Sequence, residues 1–282
     1  MIKIVNAKIN IGLNVIRRRP DGYHDLESIF YSVGIHNGTP ECPRPFCDIL
    51  EFIPATEWEL KVTSDTIDCD IKKNLVWKAM MEMDGLGCQP HSVTLDKHLP
   101  SKAGLGGGSA DASFTLSVLN STLPNPLSAQ ELSALARKLG ADCPFFLVNA
   151  PSIATGTGER LKMVEKKLER LWAVIVKPDE EITTAEAFAG ITPSGKEGDL
   201  ERLYSTLEVK DWKDFISNDF ERSFLERFPH NIKIKEYLYS MGALYASMSG
   251  SGSAFYGIFK NREEAEEAFH GCTLPYKTIV KL

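Results

Sequence analysis

From Ile2 to Ile16 the chain alternates. Ala7, Ile9, Ile11, Leu13 and Val15 are apolar, and Lys8, Asn10, Gly12 and Asn14 fall between them. A period of two puts the sets on opposite faces, so a single strand is predicted over 2–16, with Lys8 and Asn10 on its polar side. Such a side is ordinarily solvated. Pro20-Asp21-Gly22 predicts a turn within RRRPDGYHD (17–25), and LESIFYSV returns as a strand. Residues 36–46 are Pro-rich and irregular, and DILEFIP and EWELKVT read as short strands. Residues 72–83 have the spacing of an amphipathic helix, and HSVTLDKHLP is a strand running into a glycine loop.

A helix is predicted from Ser109 to Asn120 and a stronger one from Ser128 to Leu139. In the second, Ser128 and Glu131 have capping-box spacing, Leu132, Leu135, Ala136 and Leu139 form the apolar stripe, and Gly140 stops it. ADCPFFLVN and PSIATGTGERL predict a junction and strands. From about Leu171 the pattern restarts. LWAVIVKP is a buried strand, Thr184–Ala189 a short helix, 190–199 a loop, and 211–242 mostly helical. A strand, glycine turn and strand follow over 243–259, then a helix with an acidic first turn (261–271) and a closing strand, YKTIVKL. The second half therefore reads as an α+β unit of its own, and the chain as two domains, 1–158 and 159–282.

Composition narrows the function classes. With 43% hydrophobic and 25% charged residues in 282, the chain has material for a sizeable core. A net charge of −6 argues against a broad nucleic-acid footprint, while leaving room for a local basic site that takes a phosphate ester. The six cysteines (42, 47, 69, 88, 143 and 272) form no CxxC and no zinc-like Cys/His spacing, so reduced thiols are expected. No stretch has the length of a membrane span, and MIKIV runs directly into a strand pattern rather than a targeting segment. The expectation is a cytoplasmic protein with neither nucleic acid nor membrane as partner.

The candidate chemistry sits in LPSKAGLGGGSADAS (99–113), where four glycines occupy five positions between a strand and a helix. Such a loop can aim backbone N–H groups at a phosphate, helped by the positive end of the helix. A lone glycine pair would be only a turn; this density favours phosphate. A Walker A loop would need Lys-Ser/Thr after the last glycine, and here Ser109-Ala110 follows Gly108. A dinucleotide fingerprint would need a third glycine where Ser109 stands.

The loop resembles the Pro-x-x-x-Gly-Leu-Gly-x-x-Ser-Ala/Ser phosphate loop of the GHMP kinases. Their other two motifs resemble Lys8-Ile9-Asn10 near the N-terminus and SMSGSGSAFYGIF (247–259) near the C-terminus, so the likeness spans nearly the whole chain. The fold this implies is α+β, with a ribosomal protein S5 domain 2-like N-terminal domain and a ferredoxin-like C-terminal domain. AKINIGLNV (7–15), RPDGYHDLESIF (19–30), GADCPFF (140–146) and ATGTGERL (154–161) are similar to the branch whose acceptor alcohol carries cytidine diphosphate, with Tyr23-His24 the most diagnostic pair. The activity implied is ATP-dependent phosphorylation of that acceptor's 2-hydroxyl, on the non-mevalonate route to isoprenoid precursors. The alternatives are another small-molecule GHMP kinase, mevalonate- or homoserine-like, and a non-catalytic sensor on the same fold.

The resemblance makes Asp142 the group that takes the hydroxyl proton, and Lys8 its partner, drawing the hydroxyl towards the alkoxide. On residue type alone Asp142 would be a cap or turn aspartate. Asn10, Tyr23, His24, Thr184 and Phe188 are implied as substrate contacts, Tyr23 and Phe188 by stacking on the base and His24 by reading its edge. For Phe188, core packing is nearly as good a reading. Gly104, Leu105, Gly106, Gly107, Gly108 and Ser109 are implied around the ATP phosphates, with Asn74 and Lys97 towards adenosine. Ser249, Gly250 and Gly252 should close the site. Mg²⁺ is expected to arrive with ATP, with no dedicated metal site in the chain. The partner is a small molecule, and the assembly a monomer or weak homodimer. Lys102 departs from the family pattern, which has Ala or Gly there, and should point to solvent.

Overall fold

The computed structural model describes residues 1–35, 45–63, 70–193, 195 and 198–282. Most of the 36–46 segment, with Cys42, and also Cys69, lies outside them; Cys47, Cys88, Cys143 and Cys272 are buried. The first half contains β1 (Ile2–Val5), β2 (Lys8–Arg18), β3 (His24–Ser32), β4 (Asp48–Pro54), β5 (Glu59–Thr63), α1 (Leu75–Asp84), β6 (His91–Asp96), α2 (Gly107–Asn120), α3 (Ala129–Leu139), α4 (Cys143–Val148), β7 (Ser152–Thr155) and β8 (Arg160–Met163). The second contains β9 (Trp172–Lys177), α5 (Thr184–Ala189), α6 (Leu200–Thr206), α7 (Asp219–Arg227), α8 (Ile232–Ser240), β10 (Tyr245–Met248), β11 (Phe255–Phe259), α9 (Arg262–Gly271) and β12 (Tyr276–Lys281).

The single strand predicted over 2–16 is two strands in two sheets. The break falls at Asn6, whose side-chain amide donates to Ala7 O at 2.9 Å and exchanges hydrogen bonds with the Asn149 amide at 3.1 and 2.8 Å. Short-range alternation cannot reveal a kink pinned by a residue so distant in sequence. β1 joins the sheet β1-β4-β6-β5, and β2 joins β2-β3-β7-β8. The first sheet buries Leu50, Phe52, Val93 and Leu95 against Val76, Ala79 and Met80 of α1 and Leu116 of α2.

The predicted polar side of β2 is not solvated, because Lys8 and Asn10 are 2% and 1% exposed. Ile9 and Ile11 on the other side pack with Ile29, Ile175, Tyr256 and Ile258, so the two halves share one core. β8 pairs with β7 across residue 158, which ties the hairpin to the first half.

The last sheet has the order β10-β11-β9-β12, all antiparallel, with α7–α8 and α9 as its crossovers. This is the β-α-β-β-α-β arrangement of ferredoxin-like domains. The α3 capping box is present as predicted, with Ser128 Oγ accepting from Glu131 N and the Glu131 carboxylate accepting from Ser128 N. The junction predicted at 141–149 is the short helix α4. Pro144 presets its first turn, and Phe145 and Phe146 are drawn into the core. Helix α6 had no counterpart in the sequence reading.

Candidate functional site

β2, the glycine loop, α5, residues 250–252, and Ala141 and Asp142 just ahead of α4 line a cleft of about 830 Å³. The loop gives it one wall. Gly104 and Gly106 have φ of 72° and 73°, and Gly107 and Gly108 form the first turn of α2, two residues before the predicted start. The helix begins without a side-chain cap, and its first in-helix hydrogen bond runs from Ala110 N to Gly106 O at 2.9 Å. The N–H groups of Gly107, Gly108 and Ser109 precede that bond, at the positive end of a 14-residue helix. Leu105 is buried, so its side chain anchors the loop while the flanking glycines expose backbone.

Lys8 is tied to the loop twice. Its backbone N donates to Leu105 O at 3.0 Å, and its ammonium donates to Gly104 O at 3.0 Å and to Asn10 Oδ1. The ammonium also lies 3.4 Å from Asp142 Oδ2. Asp142 stands at the N-cap position of α4, but its side chain makes no capping bond; the carboxylate faces Lys8 and is about one-third exposed to the cleft. The structure thus brings together two residues 134 positions apart, one buried cation and one accessible anion.

Asn10 is spent internally. Its Oδ1 receives Lys8, its Nδ2 donates to Ser28 Oγ at 2.8 Å, and its backbone N donates to Ser249 Oγ at 3.2 Å. In this arrangement it orients Lys8. Ser249 Oγ in turn donates to Gly104 O at 2.9 Å, and Ala254 N and Ser253 N donate to the carbonyls of Ala103 and Lys102. The two glycine motifs are therefore joined directly. Gly250 and Gly252, with φ of 55° and 90°, turn the chain along the cleft.

At the opposite end, the His24 ring stacks on Phe188 at 4.8 Å and 17°, and Phe220 meets Phe188 edge-on. Burial, assisted by the Arg18 charge, lowers the His24 pKa and favours the neutral ring. Tyr23 is 66% exposed at the turn tip beside it. Thr184 lines the cleft and its hydroxyl lies 3.3 Å from that of Ser251. Lys102 points to solvent as expected, its side chain 57% exposed, and there pairs with Glu181 at 2.9 Å, bridging the two halves at the cleft mouth.

Asn74 caps α1 by accepting from Val76 N at 2.9 Å, and it lines the cleft. Lys97 is buried, paired with Asp48 and with Asp111 Oδ2 at 3.1 Å. Sequence reasoning missed both carboxylates. Asp48 reads only as the first residue of a strand, yet it accepts from His98 N and Leu99 N at 2.7 and 2.8 Å and so fixes the approach to the loop. Asp111 had a usable signal: it is a charge on the small and apolar buried face formed by Ala110, Ala112, Ser113 and Leu116.

Burial opposes the charge on Lys97, but Asp111 and Asp48 outweigh it and its pKa is raised. Burial pushes the Asp111 carboxyl up to about 8, Lys97 acting against the shift and Asp48 with it. A carboxyl with a raised folded pKa holds its proton better in the folded chain. Its contribution to stability is complete below the ordinary value of 3.8 and is lost as pH rises towards 8. The melting temperature of Asp111→Asn should therefore climb relative to the wild type from pH 5 to about 8 and then run parallel to it. Equal pH dependence in calorimetric scans of the two proteins would contradict this.

Two family models match the chain: the GHMP kinases N terminal domain over residues 74–150 and the GHMP kinases C terminal domain over residues 196–277. The 4-diphosphocytidyl-2-C-methyl-D-erythritol kinase of Parabacteroides distasonis is 42% identical over 97% of this chain and 98% of that protein. The protein of the same name from Bacteroides fragilis is 38% identical over the full length of both. The crystal structure of a 4-(cytidine 5'-diphospho)-2C-methyl-D-erythritol kinase superposes with a TM-score of 0.78 at 30% identity, covering 96% of this chain and 94% of that one. Homoserine kinase from Cytophaga hutchinsonii, at 18% identity and a TM-score of 0.68, shares the fold over 99% of this chain and 95% of its own.

Proposed function

We infer the reaction from the premise that the chain belongs to the 4-diphosphocytidyl-2-C-methyl-D-erythritol kinases, a family of GHMP kinases. It is an ATP-dependent small-molecule kinase. It phosphorylates the 2-hydroxyl of 4-diphosphocytidyl-2-C-methyl-D-erythritol, giving the 2-phosphate and ADP on the non-mevalonate route to isoprenoid precursors. The observation that carries the chemistry is the Lys8–Asp142 pair, 3.4 Å apart at the cleft wall beside the glycine loop.

In our reading, the N–H groups of Gly107, Gly108 and Ser109 hold the ATP phosphates. The acceptor hydroxyl lies against Asp142, which takes its proton as the oxygen attacks phosphorus. Lys8 compensates the negative charge that grows on that oxygen, and Asn10 and the Gly104 carbonyl keep its ammonium in place. Mg²⁺ bound with ATP would neutralise phosphate charge, and the Ser109 hydroxyl is an oxygen donor on this cleft that would suit a hard ion retaining most of its waters. Asn74 and Lys97 lie on the α1–α2 side, where the adenosine end would extend, Lys97 supporting the loop from beneath. Tyr23, His24, Phe188 and Thr184 gather the cytidine end. The enzyme on this reading works in the cytoplasm on a soluble acceptor.

The test is ADP release with ATP, Mg²⁺ and the cytidine compound, with mevalonate, homoserine and galactose as parallel acceptors. Turnover confined to the cytidine compound is expected; turnover on another acceptor alone would overturn the substrate. Tyr23→Ala should raise the acceptor KM roughly five- to tenfold with kcat nearly unchanged, because stacking binds ground and transition states alike. An unaltered KM in steady-state kinetics would remove Tyr23 from the base site.

A further inference from the structure

The first turn of α7 holds the second glycine motif from behind. Asn218 is 4% exposed, and every hydrogen-bonding group of its amide but one lone pair is engaged. Its Oδ1 accepts from Phe220 N at 3.0 Å, capping the helix, and its Nδ2 donates to Met248 O at 2.8 Å and to Gly250 O at 2.9 Å. Glu221, one turn on, accepts from Met248 N at 2.8 Å and Ser247 Oγ at 3.1 Å, and pairs with Lys235 at 2.5 Å. Asp219 accepts from Val15 N at 2.7 Å, reaching the strand that carries Lys8.

The two bonds from Asn218 have a directional consequence. In a planar trans peptide the C=O and the following N–H point opposite ways. Drawing the Gly250 carbonyl towards α7 turns the Ser251 N–H away from it, towards the cleft that Gly250, Ser251 and Gly252 line. Ser251 also meets Thr184 on that wall, next to Phe188. We propose that Asn218 is a positioning residue for the phosphoryl acceptor: it aims the Ser251 backbone and hydroxyl at the anionic portion of the bound substrate while touching no substrate itself. This rests on the reading of the 249–252 turn as part of the acceptor wall.

Two variants separate the clamp from the helix cap. Asn218→Asp keeps the capping oxygen and loses both donors. Asn218→Ser keeps a cap but cannot reach the two carbonyls. Asn261→Ala removes the cap of α9, whose Oδ1 accepts from Glu264 N at 2.9 Å, and serves as a control for lost helix stability. In both Asn218 variants the acceptor KM should rise about tenfold while the ATP KM stays within about twofold; Asn261→Ala should lower the melting temperature and leave both constants alone. Unchanged acceptor KM in both Asn218 variants overturns the proposal. So does a joint rise in both KM values, or a loss of activity shared with Asn261→Ala, which would leave Asn218 a purely structural residue. A wild-type enzyme that ignores the cytidine compound and uses another acceptor would overturn the substrate reading instead, and the split would then be read on that acceptor.

Discussion

Asp142→Asn should bind ATP and the acceptor with near-normal affinity in calorimetry and turn over about a thousandfold more slowly. The amide keeps the shape of the carboxylate and can still accept from Lys8 across the present 3.4 Å, so the cleft should not rearrange. What it loses is the capacity to take the hydroxyl proton and the charge that balances the Lys8 ammonium. Both losses act in the transition state, so they fall on kcat rather than KM. The side chain makes no capping hydrogen bond to α4, so stability should change little. Turnover within tenfold of the wild type would remove Asp142 from the base role and leave it an orienting group. A rise in acceptor KM matching the loss of kcat/KM would make it a binding residue instead.

Gly104→Ala should be the most damaging single-methyl addition to the loop, lowering kcat/KM at least about a hundredfold. Two independent penalties meet there. The backbone has φ of 72°, a region L side chains disfavour by roughly 1–2 kcal/mol. A Cβ would also fall inside the contact distance of the Ser249 carbonyl oxygen, with Gly252 N 3.2 Å away. Neither neighbour is a flexible side-chain tip, so the loop and the second glycine motif must part. Gly87→Ala isolates the first penalty, because Gly87 has φ of 80° with nothing within 4 Å of its added Cβ. It should lose about 1 kcal/mol of stability by denaturant titration and keep its activity. If Gly104→Ala behaves like Gly87→Ala, the close junction between the motifs is not what sets the phosphate loop.

Local patterns found most of the elements whose cause is local. The α3 capping box, the α5 bounds, the strand, glycine turn, strand, helix and strand that close the second half and the glycine loop all follow from residues close together in sequence. Two of the errors share one cause, which is partners far away. β1 and β2 read as one strand because Asn149, which pins the kink at Asn6, is more than a hundred residues on. α4 read only as a junction because its six residues are too few to show a period. On alternation alone Lys8 and Asn10 would be a solvated side, because nothing in the alternation shows that a second wall of protein covers it.

The site was legible in a similarly uneven way. Residue types alone gave a phosphate loop, and the family likeness gave Lys8 and Asp142, which the fold then brings within ion-pairing distance. Two supporting residues were invisible. Asp48 and Asn218 act through hydrogen bonds to distant backbone and belong to no motif that announces itself, whereas Asp111, inside the 99–113 stretch, left the signal of a charge among small and apolar residues.

The junction between the glycine motifs also orders events in the life of the chain. Ser249, which holds the Gly104 carbonyl, lies 145 residues further along, just before β11, which pairs with β9, and β9 takes β12 on its other edge. A ribosome therefore delivers the entire phosphate loop long before the residues that fasten it exist. No fragment ending ahead of residue 249 contains that fastening, so the loop cannot be held in this way until the chain has grown past it.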